Sequence, residues 1–450
     1  MKFVKSKNAN INYLAKIIDI QSFTPHPDPE TTKLKLAHVD GFNIVVGIDS
    51  EPGIYIYFPT SCEINPQLLS YGNLYRHTEK NNEPEAKAGF FEDNGRVKAI
   101  KLRGIVSEGF LMDWTLFHNF IVENTNKEIG PDINTEFDSI EDSGKSFWIC
   151  KKYIVQTTIK SPKESRYQKR VKRFNRVVDT QFRFHYETSI YRKVPTFIHP
   201  NDLISITSKI HGTSGISAYV LCKKPKPWYK FWDKTENLIY DYLYSSRSVI
   251  KNADYNPKHS GGFYGVDVWK YADEYVRPFL IKGMSAYYEI VGFLPNGGYI
   301  QKNYDYGCIP PKSENDYKPE VNFKVRIYRI TLTNVDGQVH EFSAREVQQW
   351  CKINDLIPVE ELYYGYAHDL YKDLNEQEHW QENFIDRLAN DKNFYMELNS
   401  SDCNNKVPHE GIVIKKEDMI PAAVKLKAFA FLNKEQQQLD AGEDNIEDNN

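Results

Sequence analysis

Hydrophobic and polar residues alternate along much of the first 145 residues of the chain. The runs YLAKIIDIQSF, KLKLAHVDGFNIVVGI and GIYIYFPTSCEI combine this alternation with many β-branched and aromatic residues, which is the pattern of half-buried strands. The Asp40-Gly41 pair lies between two such runs and predicts a tight hairpin turn. Several short strands joined by uneven loops predict a small barrel, and an OB-fold is the favoured candidate for it.

The pattern changes twice in the remainder of the chain. Strand-like alternation dominates from about residue 185 to 342, and helical spacing follows over residues 343–395, where Ser343 and Glu346 form a capping box. Strand-like runs return in GIVIKK and AAVKLKAFAFL. The final stretch, EQQQLDAGEDNIEDNN, is polar and acidic and is expected to be disordered.

These changes predict an α+β fold class, with an N-terminal β-barrel followed by a domain of antiparallel sheets flanked by helices. A chain of 450 residues is longer than one hydrophobic core usually serves, so more than one domain is expected. The predicted regions are an OB-fold domain at 1–145, a basic linker at 146–184, a second domain at 185–435 and a disordered acidic tail at 436–450.

Composition narrows the class of protein. The net charge is only −4, so no global positive field marks a nucleic-acid binder and any such signal must be local. The six cysteines include no CxxC pair, which favours reduced thiols over a disulfide framework. No apolar run approaches the ~20 residues that a membrane helix needs. We therefore expect a soluble, cytoplasmic protein that does not bind a membrane, and we expect it to be a monomer.

A local excess of positive charge lies in residues 160–178, KSPKESRYQKRVKRFNRVV. The segment is either a solvated basic linker or a contact with a nucleic-acid backbone, in which lysine and arginine neutralise phosphates without reading sequence. One acid, Glu164, stands against the basic residues Lys160, Lys163, Arg166, Lys169, Arg170, Lys172, Arg173 and Arg176.

A candidate nucleophile lies in SKIHGTSG, residues 208–215. Lys209 follows an apolar-periodic run and precedes a glycine turn where a ligand could approach the backbone. Taken alone, a lysine in a K-x-H-G motif is more often a solvated surface charge. Other polar residues follow in mostly apolar, strand-like contexts: Arg247 in YSSRSV, Glu289 in AYYEIVG, Tyr328 in KVRIYRITL, Glu410 in HEGIVIKK, and Lys425 and Lys427 in AVKLKAF.

Together these residue types supply the groups that an amine needs to attack the α-phosphate of a nucleotide. A lysine with a pKa of ~10.4 is neutral in only roughly one molecule in a few thousand at pH 7, and burial and nearby cations lower that pKa. Lys425 and Lys427, two apart on one face of a strand, can also neutralise charge on the phosphoryl oxygens. Glu410 can bind a divalent metal, Glu289 can accept a ribose hydrogen bond, and Tyr328 can stack on a base.

The ordered set resembles the covalent nucleotidyltransferase superfamily, which comprises DNA ligases, RNA ligases and mRNA capping enzymes. KIHG is similar to its nucleophile motif, usually K-x-D-G, and YYEIVG, IYRI, EGIVIK and KLK follow in the family's order within residues 205–431. His211 in place of aspartate resembles the nick-sealing ATP-dependent RNA ligases. The segments HPDPETTKLKLAHVDGFNIVVG, GRVKAIKLRGIVSEGFLM and FRFHYET resemble the branch of those ligases with an N-terminal OB domain.

The resemblance implies a role for each matching residue. Lys209 would form a lysyl-AMP, His211 and Gly212 would shape the pocket, and Glu410 would bind the metal. The other implied roles are α-phosphate binding by Lys425 and Lys427, ribose binding by Glu289, adenine stacking by Tyr328, contact with the ribose or the 5′-phosphate end by Arg247, and orientation of pyrophosphate by Arg183 and Arg192. Two departures are Ser208, where relatives commonly have glutamate, and Tyr328, where phenylalanine is commoner.

The function implied by the resemblance is that of an ATP-dependent RNA ligase. It would join 3′-OH and 5′-phosphate RNA ends through lysyl-AMP and adenylylated RNA, with Mg²⁺ or Mn²⁺, in RNA repair. Two alternatives within the superfamily are a capping guanylyltransferase and a DNA ligase. A further alternative is a non-catalytic RNA-binding protein, although every charged position that the chemistry requires is present.

Overall fold

The computed structural model of the protein describes residues 1–7, 9–155, 174–225, 237–254, 264–419 and 422–442. It combines helices with several sheets in which almost all strand pairs are antiparallel, and the α+β prediction is confirmed. All six cysteines are buried and free, as expected for reduced thiols. Within these ranges, no helix has both the length and the apolar character needed to cross a membrane.

The N-terminal region is rich in short strands and contains two α-helices, α1 (Pro66–Tyr71) and α2 (Trp114–Thr125). Its strands are β1 (Lys2–Val4), β2 (Ala15–Ile20), β3 (Thr24–Pro25), β4 (Leu34–Val39), β5 (Phe42–Gly47), β6 (Gly53–Phe58), β7 (Cys62–Ile64), β8 (Ala99–Leu102), β9 (Ile105–Glu108), β10 (Phe110–Asp113), β11 (Glu136–Phe137), β12 (Ser139–Asp142), β13 (Lys145–Trp148) and β14 (Cys150–Lys152).

The N-terminal strands are divided among several small sheets. The largest has the order β10-β6-β2-β11, and the others are β1-β12-β13, β3-β4-β5, β8-β9 and β14-β7. The predicted hairpin is confirmed, because β4 and β5 pair antiparallel around Asp40, whose φ is 51°. The pairings among the described residues do not close a barrel, so the OB-fold assignment stays a prediction.

The C-terminal region contains longer strands and most of the helices. Its strands are β15 (Ser189–Ile190), β16 (Leu203–Lys209), β17 (Thr213–Lys223), β18 (Leu238–Ser245), β19 (Met284–Gly292), β20 (Phe323–Thr333), β21 (Val339–Glu341), β22 (Glu361–Tyr366), β23 (Gly411–Lys416) and β24 (Ala422–Lys427). Its α-helices are α3 (Val268–Val276), α4 (Ala344–Ile353), α5 (Ala367–Leu370), α6 (Trp380–Asn390) and α7 (Phe429–Asp440).

Two five-stranded sheets form the frame of this region. We call the one with the order β15-β24-β23-β16-β22 the lysine sheet and the one with the order β18-β17-β19-β20-β21 the glutamate sheet. Side chains alternate between the two faces of each strand. One face of the lysine sheet therefore buries Ile204 and Ile206 against Phe384 of α6, and one face of the glutamate sheet buries Ile290 against Trp269 of α3.

Three predictions about element boundaries were wrong. The helical stretch 343–395 is interrupted by β22, whose segment ELYYGY pairs with β16. The acidic tail does not begin at residue 436, because α7 continues to Asp440 and buries Gln436 and Leu439. Residues 145–152, which overlap the predicted linker, form β13 and β14 instead.

The basic segment of the predicted linker falls mostly outside the described residues. This applies to Lys160, Lys163, Arg166, Lys169, Arg170, Lys172 and Arg173. Arg176 is described, and it is not a solvated charge: it is buried, lies 2.9 Å from Asp241, and donates a hydrogen bond to the carbonyl oxygen of Tyr242.

Candidate active site

A cavity of about 260 Å³ lies where the two sheets and the N-terminal region meet. Strand alternation brings Thr207 and Lys209 of β16 and Lys425 and Lys427 of β24 to its wall. Glu289 and Tyr328 of the glutamate sheet line the same cavity. The N-terminal region contributes lining residues that include Tyr13, Phe42, Ser61, Glu108, Lys152 and Tyr153.

The strand register explains why the candidate nucleophile meets its partners. Lys209, the last residue of β16, pairs with Gly411 of β23, and Gly411 pairs with Lys427 of β24. These three residues therefore lie in one row across the lysine sheet. Thr207 and Lys425 lie in the next row on the same face, on either side of Val413. Residues that are distant in the chain thus converge because antiparallel register aligns them.

Glu410 precedes that row and pairs with the lysine. Its Oε1 lies 2.7 Å from Lys209 Nζ and 3.7 Å from Lys427 Nζ. The Glu410 side chain has no solvent exposure and the Lys209 side chain is 18% exposed, so Lys209 does not project into bulk water. A buried carboxylate between two ammonium groups is compensated electrically, which burial of a charge requires.

The metal site predicted at Glu410 would have few ligands from the described residues. The described residues contain no group of three or more His, Cys, Asp or Glu side chains that could hold a metal ion. Mg²⁺ is commonly held by one or two carboxylates together with phosphate oxygens. Glu410 fits such a shared site as a hard oxygen ligand, provided that its ion pair with Lys209 opens.

The two lysines of β24 have different carboxylate partners. Lys425 Nζ lies 2.8 Å from Glu187 Oε1, and Lys427 Nζ lies 3.3 Å from Glu435 Oε1 of α7. Burial lowers the pKa of Lys425, and Glu187 opposes this effect. The cavity therefore holds several cations close together, each next to an acid.

The turn after Lys209 fits only a glycine at position 212. A Cβ atom there would lie 2.3 Å from the carbonyl oxygen of Ile290 and 2.9 Å from Glu289 Cγ. The Gly212 amide donates a 3.1 Å hydrogen bond to Glu289 Oε1, and the Ser214 hydroxyl donates one of 3.1 Å to Oε2. Glu289 lies on a central strand, not at an edge, and is held in one orientation by these donors.

His211 lies behind the cavity and does not line it. Its ring packs between Tyr304 and Phe431, with edge-to-face contacts at 4.8 and 4.9 Å between ring centroids. Its Nδ1 lies 3.7 Å from Glu410 Oε2. The predicted role of His211 in shaping the pocket would therefore be indirect, through its contact with Glu410.

A β-bulge brings two consecutive residues of β20 to the cavity. Tyr287 pairs with Arg329 and Tyr288 pairs with Ile327, which leaves Tyr328 as the extra residue. A bulge turns a side chain that would otherwise face away, so both Tyr328 and Arg329 line the cavity. The Tyr328 hydroxyl shares a 2.7 Å hydrogen bond with His185 Nδ1.

The three predicted arginines have different placements. Arg247 lines the cavity but lies just beyond the end of β18, and its Nη2 is 2.6 Å from Glu187 Oε2. Arg192 lines the cavity and contacts Asp386, Glu108 and the carbonyl oxygen of Gly41. Arg183 is not among the lining residues; it is exposed and donates a hydrogen bond to the carbonyl oxygen of Gly337.

Sequence analysis missed several polar residues of the cavity: His185, Glu187, Arg329, Glu341, Lys415 and Glu435. Burial lowers the pKa of His185 to about 3, with Arg247 and Arg329 adding to the effect. Burial alone would raise the pKa of Glu187, but Lys425 and Arg247 outweigh it and hold that pKa below its usual range. The only sequence signal for His185 and Glu187 was the segment HYE, which precedes a strand of two residues.

Comparison with known proteins gives structural matches only. No protein-family model matches the sequence, and no curated protein matches it significantly. The structure of Naegleria gruberi RNA ligase with PPi matches with a TM-score of 0.52 and 15% identity, over 95% of this chain and 100% of that chain. A mutant of that ligase with ATP and Mn matches with a TM-score of 0.50 and 14% identity, over 94% of this chain and 98% of that chain.

At this level of identity the likeness concerns the arrangement of the backbone. It extends over nearly the whole of both chains, so the N-terminal region and the two-sheet region are matched together. The chain therefore shares the fold of the matched RNA ligase structures.

Proposed function

We propose that the protein is an ATP-dependent RNA ligase of the covalent nucleotidyltransferase superfamily. The observation that carries this proposal is the placement of Lys209, which faces a cavity and whose Nζ lies 2.7 Å from the buried carboxylate of Glu410. Nearby cations and partial burial favour the neutral amine of a lysine, and a neutral amine can attack a phosphate.

In the proposed first step, Lys209 Nζ attacks the α-phosphorus of ATP. A phosphorus–nitrogen bond forms, the bond to the bridging oxygen breaks, and pyrophosphate leaves. The ammonium proton of Lys209 leaves to solvent before the attack, and Lys425 and Lys427 neutralise charge on the α-phosphate oxygens. Glu289 would accept a ribose hydroxyl hydrogen bond, and Tyr328 would stack on adenine.

In the second and third steps, the adenylate is transferred and then displaced. An oxygen of the RNA 5′-phosphate attacks the lysyl-AMP phosphorus and releases the lysine amine. The RNA 3′-OH then attacks the activated 5′-phosphate, forms the phosphodiester bond and displaces AMP. Arg247, at the cavity wall, is the residue proposed to bind the 5′-phosphate or the ribose.

The proposed cofactors are ATP and either Mg²⁺ or Mn²⁺. A divalent metal bound with the nucleotide would neutralise phosphate charge, and Glu410 is its proposed protein ligand. One matched ligase structure is with PPi and another is with ATP and Mn, and the donor chemistry of Glu410 agrees with such a metal. Arg192 and, from outside the cavity, Arg183 remain candidates for orienting pyrophosphate.

The N-terminal region is proposed to be an OB-type domain that holds RNA and acts in the adenylylation step. Support comes from its many short strands and from its lining residues Lys152 and Tyr153 in the cavity. The further proposals are a second domain that begins at residue 185 and includes α7 to Asp440, RNA repair as the biological role, and a monomer acting in the cytoplasm.

The proposal is tested by incubating the protein with α-labelled nucleotide and a divalent metal. Wild type should retain label from ATP, Lys209→Ala should retain none, and the exposed Lys352→Ala variant should label like wild type. Label from GTP but not from ATP would indicate a capping enzyme. No label with either nucleotide and any metal, together with retained RNA binding, would favour the non-catalytic alternative.

The nucleic acid is tested separately with nicked duplexes. Substrates with RNA on the 3′-OH side should be sealed and those with DNA there should not. Equal sealing of an all-DNA nick would instead assign the protein to the DNA ligases.

A further inference from the structure

Glu187 joins two of the candidate catalytic cations. Its Oε1 lies 2.8 Å from Lys425 Nζ, and its Oε2 lies 2.6 Å from Arg247 Nη2. The side chain is 28% exposed and lines the cavity. One carboxylate therefore fixes a lysine of the lysine sheet and an arginine that follows the edge strand of the glutamate sheet.

The N-terminal region holds this carboxylate through Asn12. Asn12 is 1% exposed, and its Nδ2 donates hydrogen bonds to Glu187 Oε1 at 3.0 Å and to the carbonyl oxygen of Thr188 at 3.2 Å. Its Oδ1 accepts a 3.0 Å hydrogen bond from the amide of Ile190. The side-chain amide of Asn12 therefore holds both the side chain of Glu187 and the backbone that follows it.

The segment held by Asn12 is also part of the lysine sheet. Ser189 and Ile190 form β15, which pairs parallel with Val424 and Lys425 of β24. Asn12 thus reaches Lys425 by two routes, through the carboxylate of Glu187 and through the strand pairing. A shift of the N-terminal region relative to the sheet would move both.

The negative charge of Glu187 holds two positive side chains near each other. Lys425 and Arg247 are both positive, and a shared carboxylate offsets their repulsion while setting the position of each. Since Lys425 lies within a cationic group that includes Lys427 and Lys209, loss of the negative charge at Glu187 would let the two cations separate.

We propose that Asn12 and Glu187 are positioning residues through which the N-terminal region aligns Lys425 and Arg247 for nucleotidyl transfer. This inference rests on the proposed function. Neither residue needs to touch the reacting atoms: Glu187 orients the two cations, and Asn12 orients Glu187.

The test is single-turnover labelling of the full chain with ATP at several concentrations. The variants are Glu187→Gln, which keeps the shape and removes the charge, Asn12→Ala, and the double variant. Each single variant should lower the rate constant at saturating ATP by about 10- to 100-fold, the range expected when reacting groups are misplaced. The double variant should be no slower than the slower single variant, because Asn12 acts through Glu187.

Glu136→Gln is the matched control. It removes the 3.0 Å ion pair between Glu136 of the N-terminal region and Lys193 of the C-terminal region, and it does not change Glu187. This variant should keep the wild-type rate constant. A variant that only misfolds in part would lower the final labelled fraction and leave the rate constant unchanged. If Asn12→Ala does not fold, Asn12→Asp serves instead, since it keeps the shape and repels Glu187.

The outcomes separate this inference from the proposed function. Absence of label on wild type would overturn the proposed function and, with it, this inference. Labelled wild type together with a wild-type rate constant for Glu187→Gln would overturn the inference alone. Rate losses that multiply in the double variant would also overturn it, because they would show that the two residues act independently.

Discussion

Lys209 and Glu289 illustrate what a single residue reveals before it is placed in three dimensions. A charged side chain within an apolar strand must find a partner, so both were recognisable as candidates from their neighbours in the sequence. Their partners were not all recognisable. Glu187 lies among polar residues beside a strand of two residues, where a carboxylate is unremarkable, and only the fold brings it to Lys425 and Arg247.

His185 provides a pH-dependent prediction at the residue scale. Its pKa in the folded protein is lowered to about 3, first by burial and then by Arg247 and Arg329, while the unfolded chain should have a pKa of about 6.5. Between these values the unfolded state binds a proton that the folded state does not, so stability falls as the pH falls through this window.

The measurement is urea unfolding at pH 7.5 and at pH 5.5. Between these pH values, the free energy of unfolding should fall by about 1 kcal/mol more in wild type than in His185→Asn. This is less than the pKa difference alone would give, because the imidazole is partly exposed. His379→Asn, at an exposed position, should keep the wild-type dependence. The same pH dependence in wild type and His185→Asn would contradict the assignment.

Helices and strands were predictable where a single hydrophobic periodicity dominated the sequence. Their predicted boundaries were wrong where tertiary contacts determine which residues form the element. The capping box at Ser343 and the hairpin at Asp40 were predicted from local sequence and are confirmed, because a cap or a tight turn involves only neighbouring residues. The bulge at Tyr328 and the strand β22 had no such local signal. Each is defined by its partner strand, β19 for the bulge and β16 for β22.

The end of α7 provides the prediction at the element scale. Arg96, whose side chain is completely buried, pairs with Asp440 and donates to the carbonyl oxygen of Gln436, and Lys98 lies 2.9 Å from Asp440. Deleting residues 436–450 should lower the free energy of unfolding by about 2 to 4 kcal/mol, because a buried guanidinium loses its partners.

Deleting only residues 443–450 is the control, and it should leave stability within about 0.5 kcal/mol of wild type. Urea unfolding monitored by circular dichroism measures both. Equal stability of the two truncated chains would mean that the last turns of α7 contribute nothing to the fold.

At the scale of the whole molecule, the cavity belongs to no single region. Its walls are the lysine sheet, the glutamate sheet and side chains of the N-terminal region. Contacts across these parts include the mutual hydrogen bonds of Gly41 and Arg192, in which the Gly41 amide donates to the Arg192 carbonyl oxygen at 2.7 Å and Arg192 Nη1 donates to the Gly41 carbonyl oxygen at 2.7 Å.

The whole-molecule prediction is that the C-terminal region alone is a poor enzyme. A chain lacking residues 1–180 keeps Lys209, Glu410, Lys425 and Lys427 but loses Asn12 and the N-terminal lining of the cavity. Its labelling rate with ATP should fall by at least about 10-fold, and nick sealing should fall with it. Circular dichroism confirms folding of the truncated chain, and wild-type rates from a folded truncation would contradict the prediction.

The sequence by itself determined the fold class, the candidate nucleophile and the residue types of the site. Alternation predicts strands, and the nucleophile and the site residues were recognised from the order of motifs that resembles the nucleotidyltransferase superfamily. The tertiary structure decided which of these residues meet. Register places Lys209, Gly411 and Lys427 in one row, and Asn12 reaches Glu187 from 175 positions away in the chain. Such contacts depend on strand pairing and packing between regions, which no local pattern encodes.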